Sequence, residues 1–353
     1  MQRNQFLLAL LGATTFAFTS LATTRDDDRT PYLIKTFSGK INAVRAETSG
    51  GSLTIEGGTD MNAKVEMYVR SSSGNDNLSK AEIEERLRDY DISIAQEGGT
   101  IVATAKRRNN DRDDWKRSLS IAFKFYTPRN VNTDLRTSGG SISLSTLSGA
   151  QKFRTSGGSL HMSDIQGDIN GQTSGGSIHL DRCQASSSGQ LDLQTSGGSI
   201  EARSSSGNMR LHTSGGSLRL SDLKGKIDAQ TSGGSVNGND LDGDIRTSTS
   251  GGTVRLANIA GSIEASTSGG SMDVSISKLG QYVRLSTSAG NVNVTMPLDR
   301  GLDLNLKGNR VQLPQTISRF EGDIEKDYVR GRLNGGGVAV NISANSGSVY
   351  INR

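Results

Sequence analysis

A threonine followed by Ser-Gly-Gly-Ser recurs along this 353-residue chain at an almost fixed interval. Thr137, Thr155, Thr173, Thr195, Thr213, Thr231, Thr249 and Thr267 each open a TSGGS or TSGGT, Thr287 opens a degraded TSAGN, and Thr48 opens an early copy. From Thr137 to Thr287 the steps are 18, 18, 22, 18, 18, 18, 18 and 20 residues. A fixed period of this length marks a solenoid, in which each repeat is one coil that buries its apolar face only against its neighbours.

The coil TSGGSLRLSDLKGKIDAQ, residues 213–230, shows what the strands must be. Leu218 and Leu220 alternate with polar residues, as do Ile227 and Ala229. That period of two belongs to short strands with one buried face. Gly215, Gly216 and Gly225 punctuate them, supplying the positive φ or the close approach that a tight corner needs. Each coil divides into two nine-residue halves, and no stretch within it has helical spacing.

Charge supplies the register. Three residues before each threonine stand Asp134, Lys152, Asn170, Asp192, Arg210, Asp228, Arg246, Glu264 and Arg284, alternating in sign from Asp192 onward. Parallel coils would hold these side chains one strand spacing apart, about 4.8 Å, where opposite charges attract and like charges repel. The flanking positions are apolar (Leu191, Met209, Ile227, Ile245, Ile263 and Val283 on one side), so the charges face solvent. The same alternation turns the repeated threonines inward. One buried column is expected to run Leu160, Ile178, Ile200, Leu218, Val236 and Val254.

Composition agrees with narrow coils filled by Ile, Leu, Val and Ala: 44 glycines and only 5% aromatic residues. The N-terminus reads as a secretory signal over residues 1–22. Arg3 is followed by an apolar stretch to Phe18 and a small-x-small site at Ser20-Leu21-Ala22. That run is too short to span a membrane. Forty basic against 36 acidic residues give +4, and loss of Arg3 leaves 39 − 36 = +3, a balance that excludes a general nucleic-acid binder. The single cysteine, Cys183, occupies the coil position of Ile165, Leu223, Leu241 and Ile259 and reads as a small buried hydrophobe.

Residues 23–134 and 291–353 depart from the period and are expected to cap the solenoid of residues 135–290. The N-terminal part has strand patterns at Tyr32–Phe37, Lys64–Arg70, Thr100–Lys106 and Leu119–Tyr126, and a helix over about 79–90. Ser79-Lys80-Ala81-Glu82 forms a capping box, and Ile83, Leu87 and Tyr90 share a face. The C-terminal part keeps strand patterns at Leu302–Leu306 and Val338–Ile342.

Candidate chemistry is sparse. Asp164, Asp222 and Asp240, with Asp242 and Asp244, recur at a coil corner before an apolar residue, where an Asx turn accounts for them. His161 and His179 stand one coil apart on an outward position and His212 on another, with no third ligand to complete a zinc site. The glycine-rich turns lack the acid that calcium-binding nine-residue repeats require, and the inward threonines argue against an ice-binding face. No catalytic, cofactor or metal residue is assigned. Two surfaces could meet a partner: the loop from Lys106 to Arg117, with Arg107, Arg108, Arg112, Trp115 and Lys116, and a cationic corner of Arg136, Lys152 and Arg154.

The TSGGSI and TSGGSL coils, the stretch SLSIAFKFYTPRNVNTDLRTSGGSI (118–142) and the ending GRLNGGGVAVNISANSGSVYI (331–351) resemble secreted bacterial adhesin-like β-strand repeat proteins. These are a domain-of-unknown-function group related to the auto-transporter adhesin head domain, and the resemblance covers about residues 30–353. It implies a right-handed parallel β-helix-like solenoid and offers no catalytic residues to carry over. The expected molecule is therefore all-β, non-enzymatic and adhesin-like. It is exported to the periplasm, outer envelope or exterior, without cofactor, and meets glycans or cell-surface proteins. The alternative is a polysaccharide lyase or hydrolase on the same scaffold.

Overall fold

A computed structural model describes residues 30–58, 62–72, 78–108, 117–315 and 319–353. The expected signal, residues 1–22, and the loop residues Arg112, Trp115 and Lys116 lie outside the described residues. Pro31–Arg353 form one compact unit. It is nearly all-β: 26 strands in one hydrogen-bonded sheet, with a single α-helix among the described residues.

The repeat dictates the pairing. Leu160, Ile178, Ile200, Leu218, Val236 and Val254 are successive parallel register partners, and all six are fully buried. A second parallel row runs through Ile169, Leu191, Met209, Ile227, Ile245, Ile263 and Val283. The inward residues of both rows join one continuous apolar core. Each fully buried Leu or Ile contributes about 1.5–3 kcal/mol of transfer free energy, so stability accumulates repeat by repeat.

The corner between the rows rests on backbone conformation. Ile200–Thr213, Leu218–Thr231, Val236–Thr249 and Val254–Thr267 are single 14-residue strands that serve both rows. Each has a left-handed residue at its fifth position: Ser204, Asp222, Asp240 and Asn258, with φ of 45°, 50°, 56° and 54°. Thr146, Asp164 and Arg182 take the same conformation in earlier repeats. Asp and Asn tolerate this region better than other L-residues because their short side chains bond locally. A glycine follows three residues later, Gly225 having φ 117°.

Within TSGGS each residue has its own task. The threonine is buried, and its hydroxyl donates to the second glycine's carbonyl in the preceding repeat: Thr213 to Gly198 at 2.7 Å, Thr231 to Gly216 at 2.7 Å. It also accepts from the second glycine's N–H of its own repeat, Gly216 to Thr213 at 3.2 Å. The closing serine accepts an N–H from the next repeat, Ser217 to Ser199 Oγ at 3.1 Å.

The early copy is a true member of the stack. Ala43–Thr48 pairs in parallel with Asn132–Thr137, Thr48 opposite Thr137, and Leu53–Glu56 pairs with Ile142–Ser145. Antiparallel pairing occurs only near the two ends of the described chain. Leu33–Phe37 pairs with Ala63–Ser71, Ala63–Ser71 with Leu119–Tyr126, and Tyr90–Glu97 with Thr100–Arg107. At the other end Tyr328–Leu333 pairs with Leu302–Lys307 and Phe320–Ile324. Val338–Ala344 resumes parallel pairing with the strand Met272–Thr287.

The helix runs Lys80–Leu87, shorter than expected. Its capping box is formed, with Glu82 N–H donating to Ser79 Oγ at 3.3 Å and Ser79 N–H to Glu82 Oε2 at 2.9 Å. It stops before Tyr90, which opens a strand instead. The pair Gly98-Gly99, with Gly98 at φ 58°, turns a tight hairpin that draws Tyr90–Glu97 against Thr100–Arg107. Tyr90 is then buried, its phenol oxygen accepting from Leu119 N–H at 2.7 Å.

The charged column has the expected register, from Asp192 opposite Arg210 through to Glu264 opposite Arg284. Direct ion pairs in its alternating stretch, among the described residues, centre on Glu264: Arg246 at 3.0 Å and Arg284 at 3.8 Å. Asp192 and Asp228 accept from Gln194 and Gln230, two residues along their own strands, at 3.1 and 2.8 Å. Glu264→Lys should therefore cost more than Asp228→Lys. It loses two attractions and gains two repulsions of about 0.2–1 kcal/mol each, about 1–4 kcal/mol in all. Added salt should shrink the loss. Thermal melts of both variants at low and high salt check this; equal costs would mean that register alone, without contact, sets the energy.

Candidate binding surface

Because the rows are in register, every outward position becomes a column of side chains about 4.8 Å apart. One such column reads Ser143, His161, His179, Glu201, Arg219, Asn237, Arg255, Asp273 and Asn293. Two residues further along each strand lies a second column, headed by Arg203 and continuing in shorter groups: Ser221, Asn239, Ala257, Ser275 and Thr295. From Glu201 to Thr295 the two columns border a shallow groove of about 620 Å³. Its charges are not all matched. Glu201 is shared by Arg203 and His179 (Nδ1 to Oε2, 3.3 Å), and Asp273 lies 3.8 Å from Arg255. Arg219 makes no ion pair among the described residues. A smaller polar trough of about 430 Å³ lies on the other row, beside Glu264, Arg284, Asn305 and Asn341.

No sequence motif marks this groove. Three arginine-bearing repeats and several short residues make a trough only after the coils are stacked. The available signal was the run Arg219, Asn237, Arg255 at one coil position.

The cationic corner is brought together in part. Arg154 is the direct register partner of Arg136, and Lys152 that of Asp134. Asp134 lies 3.5 Å from Arg136, while Lys106 reaches Glu47 at 2.9 Å. Arg107 ends the strand Thr100–Arg107 and Arg108 follows it; they are held by Ser118 Oγ at 3.1 Å and Asp91 at 2.6 Å. Two strands, Ala43–Thr48 and Asn132–Thr137, separate theirs from that of Lys152 and Arg154.

The acidic and nucleophilic candidates are occupied. Asp164, Asp222 and Asp240 are the left-handed corner residues, one per repeat. Arg182 binds Asp164 through two bonds of 2.8 and 2.9 Å, holding its carboxyl below the usual range. Asp242 and Asp244 face Lys224 and Lys226 across the register. Glu66, the one buried carboxylate among the described residues, meets Lys64 at 2.7 Å and Tyr68 at 2.8 Å. Burial pushes the Cys183 thiol up to about 12, far from a thiolate at neutral pH. Among the described residues no three His, Cys, Asp or Glu side chains are placed to hold a metal ion.

The histidines do meet: His161 and His179 stack with parallel rings, centroids 4.9 Å apart, while His212 is half-buried between Gln194 and Gln230. Loss of water, then the neighbouring imidazole's charge, lowers the His161 pKa. The folded chain therefore resists this proton more than the unfolded chain does. Stability should be complete above about pH 7 and fall as pH drops through the ordinary histidine value near 6.5. His161→Gln should abolish that acid-side loss. Melting temperatures at pH 5 and 7.5 test it, and an identical drop in parent and variant would defeat it.

No helix among the described residues is long and apolar enough to cross a membrane. No protein-family model matches the chain, and no curated protein does. Among solved structures, three provisionally named adhesion proteins are similar, each at 12% identity. One, from Clostridium sporogenes, covers 92% of this chain and 99% of its own, with a TM-score of 0.19. A Bacteroides fragilis adhesin covers 90% and 96% at 0.26, and a Parabacteroides merdae adhesin 73% and 95% at 0.33.

Proposed function

We propose that this chain is a non-enzymatic, adhesin-like interaction protein of the cell envelope or exterior. Its repeats form a parallel β-helix-like solenoid that displays a rigid polar face, and residues 23–134 and 291–353 close the two ends. The reading rests on one observation: parallel register holds from Leu53–Glu56 through successive repeats to Val292–Thr295, placing outward polar residues in straight columns. A surface of that kind presents many weak, evenly spaced contacts, which suits avidity better than a single catalytic pocket. The corner aspartates support the same reading, since each answers a backbone need. Residues 1–22 are proposed to export the chain. Arg136, Lys152 and Arg154 form a second candidate contact area, and Arg107 and Arg108, in the Lys106–Arg117 stretch, a third.

Beads coated with the protein should adhere to intact cells or to polysaccharide films more than uncoated beads do. Shortening of the polysaccharide during the incubation would replace this reading with an enzymatic one. Retention of the native protein in the cytoplasm on cell fractionation would remove the envelope assignment.

A further inference from the structure

Resting on the interaction-protein reading, we infer that the groove along the Glu201–Asn293 column binds an extended acidic glycan bearing a carboxylate on alternate sugars. Arg219 and Arg255 are exposed in one column and separated by a single repeat, so they stand two strand spacings apart, about 9.6 Å. Arg219 has no carboxylate partner among the described residues, and Arg255 has the distant Asp273 at 3.8 Å and a hydrogen bond to Thr253 Oγ1 at 3.2 Å, which leave donors of its fork for a ligand. Between them Asn237 offers an amide that makes no other side-chain hydrogen bond among the described residues, able to donate to and accept from sugar hydroxyls. Beside them Ser221, Asn239 and Ala257 are short, leaving room for a ring to lie along the stack. Guanidinium groups recognise planar carboxylates through paired N–H donors.

Spacing decides between a glycan and an acidic peptide. An extended peptide presents same-face side chains about 6.6–6.8 Å apart, out of step with arginines about 9.6 Å apart. An extended sugar chain with a uronate on every second unit repeats on the longer scale. The groove carries no aromatic ring, so a neutral glycan would find no stacking platform.

The test measures binding of the full-length protein to hyaluronan and unsulfated chondroitin, both alternating a uronate with an N-acetylhexosamine. Neutral dextran and poly-glutamate serve as the competing chemistries. Both alternating polymers should bind at low salt and dextran should not. Arg219→Gln and Arg255→Gln should each weaken binding about fivefold, and the double variant about 25-fold, at the upper end for exposed ion pairs. Both side chains are exposed, so the melting temperature should not change. Absence of binding to both polymers, binding unaffected by the double variant, or equal binding of dextran or poly-glutamate would overturn the assignment. Beads that still adhere while neither uronate polymer binds would leave the interaction reading intact and remove only this ligand.

Discussion

Gly216→Ala should destabilise the chain by at least about 3 kcal/mol, whereas Gly215→Ala, one residue earlier in the same motif, should be close to neutral. A Cβ on Gly216 would sit 2.0 Å from the carbonyl oxygen of Gly198 and 2.4 Å from its carbonyl carbon. Those atoms are backbone of the preceding repeat and cannot swing aside as a side chain would. A Cβ on Gly215 would find Ser196 O at 3.5 Å and Gly197 O at 3.6 Å, ordinary contact. Neither glycine has the positive φ that excludes alanine. The difference is therefore one of space alone, and alanine at 215 even gains slightly by restricting the unfolded chain.

The contrast repeats along the stack. At Gly158, Gly176, Gly234, Gly252 and Gly270 the Cβ would approach the previous repeat's carbonyl oxygen to 2.0–2.1 Å, while at Gly157, Gly175, Gly233, Gly251 and Gly269 the nearest atom lies 3.4–3.6 Å away. Because stacked repeats share each strain with both neighbours, Gly216→Ala should lower the thermal midpoint by roughly 5–10 °C or prevent folding. Paired melts of the two alanine variants provide the check. Equal tolerance at both positions would mean that the repeats do not approach as closely as the sheet register requires.

Such a contrast is invisible in the motif, where two adjacent glycines look alike, although the register that creates it is legible. Asp192, Arg210, Asp228, Arg246, Glu264 and Arg284 alternate in sign because parallel neighbours must not repel, and the apolar columns follow from period-two alternation. The inward threonines follow from that alternation too, and all are buried. What escapes the sequence depends on competition between local partners. Gln194 and Gln230 capture carboxylates that would otherwise meet arginines, leaving Glu264 as the one acid of that stretch with ion pairs on both sides. The corner conformation is hidden for another reason: Thr146, Asp164, Arg182 and Ser204 adopt it with four unrelated side chains. Tyr90 is drawn from helix to strand by a hairpin whose turn lies eight residues on. The groove is harder still, being a product of side-chain length across repeats rather than of any segment.

Thr213→Val should cost about 2–4 kcal/mol, although it changes neither the size nor the direction of the side chain by much. The Thr213 hydroxyl is fully buried and does two things at once. It donates to Gly198 O at 2.7 Å and accepts Gly216 N–H at 3.2 Å, tying one repeat to the last. A valine methyl can do neither, so a carbonyl and an amide lose their partners together. Each unpaired group costs about 1–3 kcal/mol when buried, and somewhat less at this corner because both glycines are partly exposed. Thr213→Ser keeps the hydroxyl and loses only a methyl, about 1 kcal/mol. The expected order of stability is therefore parent, serine, valine, whereas burial of apolar surface alone would put valine first and serine last. Hydrogen exchange supplies a local readout: the Gly216 amide should be protected in the parent and the serine variant and lose protection in the valine variant. If valine proves as stable as threonine, with Gly216 still protected, the recurring threonine fills space and the hydroxyl ladder does not hold the repeats together.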